Sequence, residues 1–181
     1  MLFRSAATKA GAKLVHVSTD FVFGGDSPRP YAVDAPTAPL GVYGRTKREG
    51  ELLVLAADAR HLVVRTAWVY AATGRNFVLT MLRLMKERGA VSVVADQVGS
   101  PTWAAGLAET LWDLARLDAS GLMHVTDAGV ASWYDFAVAI AEEGAAAGLL
   151  DAGTVVNPIA SSAFPSRARS EEHTSELQSR A

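Results

Sequence analysis

The chain has 181 residues with 17 basic and 19 acidic side chains, a net charge of −2, half hydrophobic composition and no cysteine. That length suits one soluble unit with a sizeable core. The near-neutral charge gives no ground for nucleic-acid or membrane partners, and the missing cysteines exclude disulfides, cysteine nucleophiles and thiolate metal sites. No apolar run reaches transmembrane length and no signal peptide is visible, so a cytoplasmic location is expected.

Leu2-Phe3-Arg4-Ser5 and the stretch from Arg169 to Ser179 resemble a translated sequencing-library adapter, read in mirrored orientation at the two ends. Residues 1–5 and 169–181 are therefore expected to be adapter-derived, the second as a disordered tail. Residues 6–168 are expected to be the biological part, a gene fragment.

Lys13 to Ser18 is a short apolar run after a glycine turn and reads as a buried strand. Phe21 to Pro39 holds four of the seven prolines and two adjacent glycines, which predicts a long surface loop, and loops of this length are usually functional or disordered. Val42 to Ala57 reads as a helix with Lys47, Glu51 and Leu55 on one stripe. His61 to Arg65 is a second buried strand. Phe77 to Arg88 is an amphipathic helix, with Asn76 as N-cap and Gly89 as its end. Val91 to Ala95 is a short strand. Trp103 to Leu117 is a helix for which Thr102 is the expected N-cap. Leu122 to Val125 is a strand, and Ser132 opens a helix to about Ala147, with Asp135 at the reciprocal capping-box position. Alternating strands and helices argue for a parallel α/β sheet.

Tyr43 and Lys47 stand at i and i+4, on one face of their helix. Thr19 closes the apolar run before them. A phenol, a nearby cation and a hydroxyl at a sheet mouth can deliver a proton to a ketone oxygen while a nicotinamide delivers hydride. A free phenol titrates near pH 10, too high for easy proton transfer at neutral pH, and a cation one turn away favours the phenolate. Each residue alone has an ordinary reading: Thr19 as a backbone cap, Tyr43 and Lys47 as neighbours on a solvated helix face. Asp20 is a candidate sugar-hydroxyl ligand or a turn cap. Trp68 follows the second strand, where parallel sheets place ligand contacts, and can stack on a sugar or base face or fill the core. Gln97 is a candidate substrate contact. Trp133 and Tyr134 are expected in the core. His16, His61 and His124 lack metal-ligand spacing and read as satisfied structural histidines, so no metal site is expected.

Five ordered segments carry a family resemblance: Val17 to Gly25, Pro39 to Lys47, Arg65 to Phe77, Asp96 to Thr102, and His124 to Ala137. Together they resemble the extended short-chain dehydrogenase/reductases, and within them the dTDP-4-dehydrorhamnose reductases. The differences are Phe21, where the family usually has Tyr, Gly24, where it has Asp, and Val33, where it often has an acid.

The resemblance implies the C-terminal part of a Rossmann-like, doubly wound parallel sheet plus a small substrate-binding α/β subdomain, with the N-terminal cofactor-binding half missing. It implies reduction of dTDP-4-dehydro-L-rhamnose to dTDP-L-rhamnose, a precursor of cell-surface polysaccharide, with NADPH or NADH. Thr19, Tyr43 and Lys47 would be catalytic, with Tyr43 and Lys47 also holding cofactor. Thr19, Asp20, Trp68 and Gln97 would hold the nucleotide sugar. The resemblance allows a homodimeric parent. Other readings are a reductase or epimerase on another nucleotide sugar, and a non-catalytic regulatory subunit of the same fold.

Overall fold

The computed structural model describes residues 2–163. In chain order its elements are α1 (Leu2–Lys9), β1 (Val15–Thr19), α2 (Val42–Leu55), β2 (Leu62–Thr66), β3 (Val69–Tyr70) and α3 (Phe77–Arg88). Then follow β4 (Ala90–Val94), β5 (Val98–Gly99), β6 (Thr102–Trp103), α4 (Ala104–Arg116), β7 (Gly121–His124), β8 (Ala131–Ser132), α5 (Trp133–Ala146) and β9 (Val155–Ile159). Short 3-10 turns occupy Asp20–Val22 and Ser161–Ala163. The expected tail at 169–181 lies outside the described residues.

The chain forms two units, Met1–Ala67 with Ala105–Thr126, and Trp68–Ala104 with Asp127–Ala181. The first is built on a parallel sheet of order β1-β2-β7. All five residues of β2 are buried, as expected for a central parallel strand, including Arg65 and Thr66 after the apolar Leu62, Val63 and Val64. The Leu62 N–H bonds the Leu14 carbonyl. Because backbone groups alternate sides along a strand, Val15, Val17 and Thr19 turn their N–H and C=O groups to the outer edge of β1. Among the described residues nothing pairs with that edge as a strand.

α2 sits against the turn that follows β1, and Gly44 makes this possible. A Cβ at Gly44 would collide with the Phe21 carbonyl and press on Pro39 Cβ at 3.0 Å. The missing side chain thus brings the backbone carrying Tyr43 up against the strand end carrying Thr19.

The second unit packs α3 and α5 around the parallel pair β4–β9, with Phe77, Met81, Met85, Val91, Val93, Trp133, Ala137 and Ile140 in its core. α3 has the expected bounds. Asn76 Oδ1 accepts the Leu79 N–H at 3.1 Å, and Gly89 ends the helix at φ +69°. α5 opens with the expected capping box: Ser132 Oγ accepts the Asp135 N–H at 3.0 Å, and Asp135 Oδ2 accepts the Ser132 N–H at 2.8 Å. Trp133 is core as expected; Tyr134 only packs against the core from a half-buried position.

One expectation needs correction here. Thr102 is not a helix cap. It belongs to β6, opposite Val69, and its hydroxyl donates to the Ser100 carbonyl at 3.1 Å, while Asp127 takes the Trp103 N–H at 2.8 Å. α1 and β9 were not anticipated. β9 was obscured by Pro158, which lacks a ladder donor. Yet the Val155 N–H and the Ile159 C=O face β4, so Pro158 turns its nitrogen outward and no β4–β9 bond is lost.

Replacing Gly44 with Ala should destabilise the chain by about 1–3 kcal/mol through overpacking, despite the gain in helix propensity. A urea-unfolding midpoint equal to or above the parent's would contradict this packing account.

Candidate active site

Thr19 closes β1 as a buried residue whose hydroxyl serves local structure. Its Oγ1 accepts the Phe21 N–H at 3.2 Å and donates to Asp20 Oδ1 at 3.0 Å. Burial pushes the Asp20 carboxyl above the ordinary value, against the Thr19 hydroxyl and nearby backbone N–H groups that favour its charge. Tyr43, in the first turn of α2, is 56 % exposed. Its ring meets Phe21 edge-on at 5.8 Å, and among the described residues its hydroxyl has no hydrogen-bond partner.

Lys47 is half-buried one turn further along. Its Nζ donates to the Val17 carbonyl at 2.6 Å, on the outer edge of β1. Burial lowers the Lys47 pKa, and the charge of Glu51 opposes that shift. The first unit therefore gathers Thr19, Asp20, Tyr43 and Lys47 into one β1–turn–α2 segment.

Glu51 anchors this segment from beneath, a role that its placing on one helix stripe with Lys47 and Leu55 did not reveal. Its carboxylate is fully buried and accepts from Ser18 Oγ at 2.6 Å, Arg65 Nε and Nη2 at 2.8 Å each, and Arg48 Nη1 at 2.9 Å. Burial alone would raise its pKa, but the hydrogen bonds from Arg65, Ser18 and Arg48 prevail and hold it below the ordinary carboxylate value. A sequence signal was present: Arg65 stands within an otherwise apolar central strand, where a charge needs a buried partner.

The histidines divide. His61 is fully buried and satisfied: Nδ1 accepts the Leu14 N–H at 3.2 Å, and Nε2 lies 3.5 Å from Thr8 Oγ1. His124 Nε2 lies 3.4 Å from Arg65 Nη1. His16 departs from expectation, because its Nε2 is buried without a hydrogen-bond partner, 3.4 Å from where a Cβ on Gly50 would lie. Burial first, then the charge of Lys47, lowers its pKa, and a neutral ring tolerates that position better than an imidazolium.

Trp68 and Gln97 belong to the second unit. Trp68 has φ +47°, rare for a bulky residue, and stacks on Trp133 at 3.5 Å and 9°. A Cβ on Gly99 would meet its indole at 2.5–2.8 Å, so that glycine is required by the close approach. The core-packing reading of Trp68 is thus realised, with the residue half-buried. Gln97 is half-buried just before β5. Asp96 beside it accepts the Ser161 N–H at 2.9 and 3.0 Å and the Ser161 hydroxyl at 2.9 Å, tying the end of β9 to this loop.

The sequence matches the RmlD substrate binding domain over residues 2–181. The chain belongs to this family. It is 42 % identical over 177 residues to the dTDP-4-dehydrorhamnose reductase of Escherichia coli K12, covering 95 % of this chain and 59 % of that protein. A probable dTDP-4,6-dihydroxy-2-methyloxan-3-one 4-ketoreductase of Streptomyces antibioticus is 53 % identical over 125 residues, covering 68 % of this chain and 42 % of the relative. Among solved structures, the dTDP-4-dehydrorhamnose reductase of Bacillus anthracis in complex with NADP matches with TM-score 0.83 and 40 % identity, over 92 % of this chain and 57 % of that one. The chain thus spans roughly half the length of the relatives it matches, from 42 to 59 % in these cases. The parallel α/β fold expected from the RmlD-type resemblance is the fold observed.

In this RmlD-type chain, the depressed pKa of Glu51 fixes a pH dependence. Its contribution is complete above the ordinary value of 4.5 and is lost as the pH falls through the folded-state value. Glu51→Gln should flatten the fall in unfolding free energy below that pH, as urea titrations at stepped pH would register. An unchanged acid limb would show that Glu51 is not a stabilising carboxylate.

Proposed function

We propose that this chain is the catalytic and substrate-side part of a reductase that converts dTDP-4-dehydro-L-rhamnose to dTDP-L-rhamnose with NADPH or NADH. The observation that carries this reading is Tyr43, whose exposed and unpartnered hydroxyl lies one helical turn before Lys47 on the β1–α2 segment that also holds Thr19. Membership of the RmlD family supports the same assignment.

NADPH, when bound, supplies the hydride. The residues present fit its nicotinamide-ribose end: Lys47 keeps two N–H donors beyond the one on Val17, and Tyr43 offers a free hydroxyl. The pyrophosphate end finds no matching feature, since the sequence has no Gly-x-Gly-x-x-Gly loop. Tyr43 gives its phenolic proton to the oxygen developing at sugar C4; the O–H bond of Tyr43 breaks as the new alcohol O–H forms. Lys47 stabilises the phenolate left behind, which then recovers a proton from solvent. Thr19 holds the ketone oxygen by turning its hydroxyl from Asp20 to the substrate. Asp20, Trp68 and Gln97 are assigned to the sugar side.

A second reading has specific support in the Streptomyces ketoreductase, the more identical relative over its shorter match. On that reading the same proton chemistry acts on another dTDP-4-keto sugar. Both readings use Tyr43, whereas a regulatory subunit would not need it.

Re-amplifying the locus and expressing the full reading frame gives the protein for the test. NADPH oxidation should follow addition of dTDP-4-dehydro-L-rhamnose, and Tyr43→Phe should lower kcat by about a hundredfold or more. Turnover of only a different 4-keto sugar would favour the second reading. An unchanged rate for Tyr43→Phe would remove Tyr43 from the mechanism. The 181-residue chain itself should bind NADPH poorly in titration calorimetry, and saturable micromolar binding would contradict the placement of the pyrophosphate outside it.

A further inference from the structure

We infer that Arg65 is a positioning residue that holds the 21–39 loop and the Tyr43–Lys47 helix in a single register. The inference rests on the reductase reading for its functional meaning, but its geometry stands apart from that reading.

Arg65 is 3 % exposed and its guanidinium is divided between two tasks. One edge, Nε and Nη2, forks onto both oxygens of Glu51 at 2.8 Å and so grips α2. The remaining nitrogen, Nη1, donates to the Val33 carbonyl at 3.2 Å, deep in the long loop. The guanidinium carbon also lies 4.9 Å from the centre of the Phe23 ring, which stacks with Tyr31 at 4.3 Å and 4°. His124 meets the same Phe23 ring edge-on at 5.7 Å.

The loop needs such an anchor. It has no sheet pairing of its own, and its internal bonds are short-range, with the Tyr31 hydroxyl donating to Asp26 Oδ1 and accepting the Asp26 and Ser27 N–H groups. The Ala38 N–H on the Val22 carbonyl closes the loop on itself. Among the described residues its polar ties to the sheet are the Val33–Arg65 bond and a backbone bond from Tyr31 to His124, whose Nε2 itself lies 3.4 Å from Arg65 Nη1. A loop leaving the strand end of Thr19 and the helix that carries Tyr43 are therefore set by opposite edges of one planar side chain. Lysine can supply the charge that Glu51 needs but not both edges.

The test uses the 181-residue chain, with no cofactor or substrate. Arg65→Lys should leave the protected amides of β2 and β7 in place, while amides around Val33 exchange about tenfold faster or more, as local opening without global unfolding. The Lys47 side-chain nitrogen resonance should shift in the same variant, reporting that the helix has moved on β1. Loop amides and a Lys47 signal both unchanged in a folded Arg65→Lys chain would overturn the inference, as would a loosened loop with Lys47 undisturbed. Should Arg65→Lys fail to fold, Val33→Pro offers a second route. It removes no Arg65 contact to Glu51 but disturbs the backbone carrying the carbonyl, and the Lys47 signal should again shift; an unmoved signal counts against the coupling. Because these readouts need no turnover, a failed reductase assay and a failed coupling are separate results.

Discussion

Four hydrogen bonds converge on the Glu51 carboxylate beneath α2, and the first unit depends on them. They come from β1 through Ser18, from β2 through Arg65 and from α2 itself through Arg48. A buried ion pair of this kind is weak evidence for stability, because well-packed apolar residues could do as well. Its value is directional. A planar fork accepts one arrangement of strand and helix, whereas a greasy contact between Val and Leu would tolerate several. The same carboxylate raises the pKa of Lys47 against the effect of burial, so the anchor also bears on the charge of the residue above it.

How far the sequence could be read follows from the range of the interactions involved. α3 and α5 were legible in full, because Asn76, Gly89, Ser132 and Asp135 act within one turn of their own helix. The strands of the first unit were legible as short apolar runs and their parallel pairing from the alternation with helices, whereas their order β1-β2-β7 comes from the structure. What stayed hidden was decided by distant partners. Thr102 has the chemistry of a cap, but pairing with β3 draws it into a strand and Asp127 takes the neighbouring N–H. Glu51 looked like part of a helix stripe until Arg65 was placed against it. His16 looked satisfied until its surroundings proved to be the bare backbone of Gly50.

The candidate residues show the same division. Thr19, Asp20, Tyr43 and Lys47 were recognisable from spacing and order, yet their present hydrogen bonds are mostly internal. Thr19 serves Asp20 and Phe21, and Lys47 serves Val17. Only Tyr43 keeps its hydroxyl uncommitted. Trp68, which the proposed function assigns to the sugar side, packs against the core of its unit. Its left-handed backbone and its stack on Trp133 hold the indole in place, so a contact of the proposed kind would carry a smaller ordering cost.

The orientation of Pro158 bears on how the molecule meets copies of itself. Among the described residues the outer side of β9 is unpaired, and it has an imino nitrogen where a neighbour would look for a donor, so a ladder laid along that side is interrupted at Pro158. The free side of β1 has no such interruption: its five residues contain no proline, and a lysine occupies one carbonyl, that of Val17. These two edges therefore differ in how readily a further strand could add to them. Charge or proline introduced at Val15 or Val17 would improve solubility far more than the same change on β9.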